Sequence, residues 1–261
     1  MRIKNKFSEL QKNNQKGFIP FISAGDPDLA KTKDLVILLA NLGSTVIELG
    51  VPFSDPMADG VVIQRASERA LKQNFGIAEI LDLVRAVRKE TETPIILFSY
   101  FNPLLQYGLE KLCADAKKAG VDGFLVTDLV PEEAEDFSNL LKKNDLDMIF
   151  LVAPTSGDDR LKMVAERASG FIYAVSRTGV TGAQETTSQS AEVLVNRMKQ
   201  FSDLPVAVGF GISTAEQITE TWKYADAAVV GSAIVKEIEK FGNDADLVEK
   251  IEEFTKNLLP K

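Results

Sequence analysis

The 261-residue chain contains no histidine. That removes the side chain whose ordinary pKa lies nearest neutrality, and with it every Ser–His or Cys–His nucleophile and every histidine metal site. Any acid–base chemistry must therefore rest on carboxylates, tyrosine or lysine. Cysteine is nearly absent too: Cys113 stands alone, so no internal disulfide forms, and within KLCADAKKAG it reads as a half-buried helix residue rather than a nucleophile. Long apolar runs are missing, since no stretch approaches the roughly 18 residues a membrane span needs. The N-terminal MRIKNKFSELQKNNQKG is polar and amphipathic, unlike a secretory leader. A soluble, cytoplasmic protein is the expectation. Basic charge is in deficit, with 30 Lys+Arg against 38 Asp+Glu and a net charge of −8. No basic run is dense enough to track a phosphate backbone, so neither nucleic acid nor a membrane is expected as a partner.

What the chain does have is repetition of a simple kind. Short β-branched or aromatic runs recur at 18–23, 45–50, 94–100, 123–129, 147–154, 170–176, 205–211 and 227–233. They are near-continuously apolar rather than alternating, as parallel strands buried on both faces are. Between them lie segments such as KTKDLVILLANLG and AEILDLVRAVRKE, with apolar residues three and four apart, and Gly43 and Gly120 close two of these before the next strand. With 45% hydrophobic residues and no linker or low-complexity stretch, the pattern predicts one domain over 1–261, an α/β fold of the (β/α)₈ TIM-barrel type. A doubly wound open sheet is the alternative. The intervals from Gly50 to Pro94 and from Ser176 to Pro205 are longer than the others, which places long loops after strands two and six. In this architecture such loops build the active site.

The strand ends supply a short set of chemical candidates: Ser23, Asp26, Glu48, Tyr100, Asp128, Tyr173, Ser176, Arg177, Gly209 to Gly211, Gly231 and Ser232. Glu48 follows two apolar β-branched residues at the end of strand two, where the low-dielectric barrel mouth would raise its pKa towards a useful acid–base value. Asp59 lies in the next loop, between Pro52, Pro56 and Gly60. The plainer reading makes Glu48 a solvent-facing strand end and Asp59 ordinary turn chemistry. VGFGIS and VGSAIV are glycine turns that each lead into a helix, and backbone N–H groups there would hold a phosphate. SRTGVTGAQETTSQS, after strand six, is expected to be a loop, either one able to close over that phosphate or a disordered surface loop. None of the strand runs contains lysine, which excludes a Schiff-base aldolase, and the missing histidines disfavour a metal one. A carbon–carbon cleavage here would need a substrate that supplies its own electron sink.

IELGVPFSDPMADG, with FIPFISAGDP, IYAVSRTGVTG and VGFGIS…GSAIVK, closely resembles the tryptophan synthase alpha chain family over nearly the whole length. The resemblance implies retro-aldol cleavage of indole-3-glycerol phosphate to indole and glyceraldehyde 3-phosphate. It also implies a beta-chain partner in an alpha2-beta2 heterotetramer, with pyridoxal phosphate only in that partner and no cofactor or metal in this chain. Residue by residue, it makes Glu48 the acid–base group, Asp59 the carboxylate that meets the indole N–H, and Tyr173 the tyrosine beside Glu48. Phe21, Phe98, Tyr100, Thr127 and Phe210 fall where the family lines its indole and glycerol pocket, and Gly182, Gly211, Gly231 and Ser232 at its phosphate site. Thr181 matches the threonine that helps close the site, and Pro52, Asp55 and Asn102 match positions facing the beta chain. A stand-alone indole-releasing lyase and a catalytically silent, phosphate-binding barrel remain as alternatives.

Overall fold

The computed structural model describes residues 1–175, 184–209 and 211–260, with the backbone alone for 184–188. Within them lie the strands β1 (Gly17–Ser23), β2 (Ile47–Gly50), β3 (Ile95–Ser99), β4 (Gly123–Val126), β5 (Asp147–Ile149), β6 (Leu151–Val152), β7 (Ile172–Val175), β8 (Val206–Gly209) and β9 (Ala227–Val230). All pair in parallel, in the order β5-β4-β3-β2-β1-β9-β8-β7-β6. The two ends of that order are halves of one stretch of chain, parted at Phe150: β5 pairs with β4, and β6 with β7. The sheet therefore rolls up until its edges meet inside a single apolar run, and the barrel has the eight expected strands with the fifth divided.

Alternation along each strand sorts the core into two parts. Ile47, Leu49, Ile95, Leu97 and Val208 point outward into the large core shared with the helices. Ile19, Val46, Ile96, Leu125, Tyr173 and Val229 point inward and fill the barrel. The helix α1 (Arg2–Lys12) adds Ile3 and Phe7 to this inner core, with the Phe7 and Phe171 rings 5.9 Å apart.

Glycine ends helices as expected. After α2 (Leu29–Asn41), Gly43 has φ +87°, and the next helices before β4 are α3 (Val61–Leu71), α4 (Ile77–Val87), α5 (Phe101–Tyr107) and α6 (Leu109–Ala119), the last stopped by left-handed Gly120. Cys113 on α6 is fully buried rather than half-buried, and burial pushes its thiol up to about 11. The long interval after β2 is a connecting segment at 51–60 followed by α3, a helix additional to the βα repeat. Beyond α7 (Glu135–Lys143) and α8 (Asp158–Arg167), the helix α9 (Gln184–Met198) takes in the second half of the stretch expected to be a loop after strand six. Ala191, Leu194, Val195 and Met198, all buried at helical spacing, anchor it, and the polar residues before them continue the same helix. The chain closes with α10 (Ala215–Trp222), α11 (Ser232–Phe241) and α12 (Leu247–Leu258).

Candidate active site

Two residues before Glu48, Val46 faces the barrel interior, so the strand's two-residue period turns Glu48 inward as well. It stands in register with Phe21 of β1 and Ile96 of β3. Glu48 is 1% exposed, and its Oε1 has no hydrogen-bond partner among the described residues. Burial alone raises its pKa well above the ordinary carboxylate range. Tyr173 comes from β7, and burial, reinforced by the field of Glu48, holds its hydroxyl well above an ordinary phenol. The Tyr173 ring fills the space over Gly209, where a Cβ would fall 2.0 Å from its Oη.

Both residues face a cavity of about 310 Å³ that opens between the strand ends and the start of α3. Phe21 and Phe98 form its apolar side, with ring centroids 5.2 Å apart and planes at 79°. Asp59 enters from the segment after β2. Burial raises its carboxyl to about 6 even though a hydrogen bond with Tyr100 opposes the shift. Tyr100 Oη accepts the Ala58 N–H at 2.9 Å, and burial with the Asp59 charge pushes the phenol up to about 12. Gln64 Nε2 donates to the Asp59 carbonyl at 2.9 Å, which ties the segment to α3.

The far end of the cavity is lined by Gly211, Gly231 and Ser232. Gly211 has φ +81°, a conformation that favours glycine. Gly231 precedes α11 with no side-chain cap, so the first-turn N–H groups of that helix have no intrahelical partner. Its missing Cβ would lie 3.3 Å from Phe21, so a larger residue would crowd the cavity.

The structure thus gathers Glu48, Asp59, Tyr173, Phe21, Phe98, Gly211, Gly231 and Ser232 around one space. Tyr100 and Thr127 stand behind Asp59 instead of lining the cavity, the Thr127 hydroxyl bonding Tyr100. Asp55 and Asn102 are exposed, and Pro52 borders a separate cavity of about 270 Å³ with Pro103 and Tyr107. Ser176, Arg177, Thr181, Gly182 and Phe210 lie outside the described residues. Asp128 and Asp26 serve the framework: Asp128 Oδ1 accepts the Phe101 N–H at 2.7 Å, and Asp26 pairs with Arg69. Sequence reasoning missed Val61, Val62, Ile63 and Val229, which complete the apolar wall. The signal was present in three apolar residues at the start of an otherwise polar helix.

A parallel barrel with one buried unpartnered carboxyl, a second carboxyl on the following segment and an open helix N-terminus across an apolar slot defines a class. It is an enzyme whose titratable side chains converge on an apolar pocket. The family model described as "Tryptophan synthase alpha chain" matches residues 7–259. A tryptophan synthase alpha chain of Geobacter sulfurreducens is 51% identical over 240 residues, covering 92% of this chain and 91% of that one. The crystal structure of tryptophan synthase subunit alpha from Legionella pneumophila superposes with a TM-score of 0.89 at 38% identity, covering 97% of this chain and 94% of that one. A structure describing mutual activation of the tryptophan synthase a2b2 complex of Pyrococcus furiosus matches with a TM-score of 0.86 at 39% identity, covering 93% and 97%. The chain belongs to the tryptophan synthase alpha chain family, whose role is to cleave indole-3-glycerol phosphate.

Proposed function

We propose that Glu48 carries the proton transfers of indole-3-glycerol phosphate cleavage and Asp59 stabilises the charge on the ring, with the indole ring between Phe21 and the start of α3 and the phosphate at Gly211, Gly231 and Ser232. The observation that carries this reading is that Glu48, 1% exposed and unpartnered at Oε1, faces the same cavity as Asp59 and the N-terminus of α11. Burial raises the Glu48 pKa well above the ordinary carboxylate range, which favours its acid form and suits it to donate a proton, whereas Asp59, at about 6, is ionised at neutral pH. Two carboxyls with separated pKa values take separate roles.

A proton added at indole C3 converts the ring to an iminium ion whose positive charge reaches the ring N–H, and the Asp59 carboxylate stabilises it there. Loss of the proton from the hydroxyl on the adjoining carbon lets its electron pair form the new carbonyl. The pair of the breaking carbon–carbon bond returns to the ring, releasing indole and glyceraldehyde 3-phosphate. One proton enters and one leaves, and Glu48, converted to carboxylate by the first transfer, is the base for the second. Tyr173, held neutral beside it, donates to the Glu48 carboxylate formed in between. The α11 N-terminus holds the phosphate dianion through backbone N–H groups and the helix dipole.

The electron sink is the substrate's own ring, so this chain needs no cofactor, and pyridoxal phosphate belongs to the beta chain. Pro52, Asp55 and Asn102 mark the surface for that partner, in an alpha2-beta2 assembly. Met57, 85% exposed, and Leu105, 52% exposed, offer apolar area along the same two segments. The chain works as one domain in the cytoplasm; among the described residues no helix is long and apolar enough to cross a membrane. The test follows indole release from indole-3-glycerol phosphate by wild type and Glu48→Gln, each alone and with a beta chain. Wild type should be accelerated by the beta chain, and the variant should lose about 10³-fold in kcat. Undiminished turnover by the variant would remove Glu48 from the chemistry, and indifference to the beta chain would favour a stand-alone lyase.

A further inference from the structure

Behind the cavity, four charged side chains from three separate segments form one cluster. Arg65 and Arg69 lie one turn apart on α3, and both reach Glu239 on α11. Arg65 does so through Nε and Nη2, each at 2.6 Å, and Arg69 through Nη1 at 2.7 Å. The other two nitrogens of Arg69 grip Asp26, in the turn after β1, at 2.8 and 2.9 Å. Two guanidinium groups and two carboxylates balance in charge. Asp26 is only 2% exposed, and the hydrogen bond with Arg65, reinforced by Arg69, holds Glu239 down at about 2. Gln73, just past the helix, adds a bond from Nε2 to the Gly25 carbonyl at 2.7 Å.

The helices joined here are the two whose first residues line the cavity: Val61, Val62 and Ile63 for α3, Ser232 for α11. Asp59 travels with α3, because Gln64 holds its carbonyl and the chain runs from Asp59 through Gly60 directly into that helix. We infer that the cluster of Asp26, Arg69, Glu239 and Arg65 is a positioning device that sets Asp59 relative to the N-terminus of α11. On the proposed function, that spacing is the one between the ring nitrogen and the phosphate of a single substrate. Val61 lies eight residues, roughly 12 Å of helix, from Arg69, so a tilt of about 5° there moves it by about 1 Å. Misplacement of that size costs up to ~10²-fold in rate. None of the four residues touches the cavity, and each acts through the helix that carries it.

The test uses Glu239→Gln in the complex with a beta chain. Four quantities are measured: kcat on indole-3-glycerol phosphate, Kd for glycerol 3-phosphate, Tm, and amide hydrogen exchange at Asp59 to Gln64. A positioning role gives a loss of about 5- to 30-fold in kcat, glycerol 3-phosphate affinity and Tm close to wild type, and faster exchange over those amides. Glu239→Asp, which keeps the charge with a shorter reach, recovers part of the rate. Unchanged kcat and exchange overturn the inference. So does a parallel fall in kcat, phosphate affinity and Tm, which would reduce the cluster to general stability. Exchange needs no substrate, so it still decides the cluster's role if wild type releases no indole and the proposed function itself fails.

Discussion

Carboxyl groups stand at both ends of this barrel, and Asp122 and Asp226 at one end are treated in the opposite way to Glu48 and Asp59 at the other. At the N-terminal end, Asp122 accepts the Ile95 N–H at 2.9 Å, Arg88 Nη2 at 2.7 Å and Arg2 Nη1 at 3.2 Å. Asp226 accepts the Val206 N–H at 2.9 Å and pairs with Lys199 at 3.2 Å. Each aspartate directly precedes a strand and caps the first N–H of a neighbouring one, so its charge closes the ladder. At the C-terminal end Glu48 keeps an orphan oxygen, and Asp59 has one tyrosine as its side-chain partner. At the lower rim Asp122 and Asp226 serve cohesion. At the upper rim Glu48 and Asp59, without the ion pair that Asp26 makes, sit in an environment that raises their pKa values, as acid–base groups do.

That contrast is sharpest at Glu48→Gln. Beyond its roughly 10³-fold loss of turnover, the variant should be the more stable protein at pH 8. In the unfolded chain Glu48 ionises in the ordinary carboxylate range, whereas burial in the fold raises its pKa well above that range. Folding therefore takes up a proton, and stability falls as pH rises above that range. Glutamine carries no such cost, so its Tm should exceed wild type's at pH 8 and the gap should close near pH 4. A lower Tm at pH 8 would place Glu48 with the structural carboxylates.

Asp59→Asn should lower kcat by about 10²-fold, by removing the charge opposite the iminium. With Asp59 at about 6, wild-type kcat/KM should fall as pH drops through 6, since only the ionised form stabilises the cation. The variant should lack that limb, and an identical limb in its pH profile would assign the ionisation elsewhere. Asp122→Ala is the reverse experiment. It strands Arg88, only 10% exposed, and should cost about 3 kcal/mol in urea unfolding, while kcat of the folded fraction stays within about twofold. The smallest effect belongs to Tyr173→Phe, which removes the hydroxyl proposed to donate to the Glu48 carboxylate and should cost about 5-fold in kcat, near the value of a single hydrogen bond. A loss equal to that of Glu48→Gln would make Tyr173 a proton carrier in its own right.

How much of this the sequence revealed depended on how local each feature is. The strands could be read because their apolar runs are short and continuous, and only the break at Phe150 was hidden, since closure of the barrel demands it and composition does not. Glu48 could be read because strand position and the absence of histidine both singled it out. The helical start of α9 could not, because Gln184 to Ser190 are polar and their helix is held by Ala191 and Leu194 further on. The wall formed by Val61, Val62 and Ile63 left a local signal that went unread, whereas the ion cluster behind it was invisible. Arg65 and Glu239 are 174 positions apart, and nothing local to either names the other.

The sequence by itself determined the chemical repertoire: carboxyls in place of histidine, no lysine in a strand run, and a glutamate at the end of strand two. Those properties are carried by one residue and its near neighbours, so no distant contact can alter them. Only the tertiary structure decided which carboxyls are neutralised and which are left wanting. A pKa depends on what packs around a group, and Glu48 acquires Tyr173, the apolar slot and its unpartnered oxygen only when the barrel closes at Phe150 and brings β7 opposite β2.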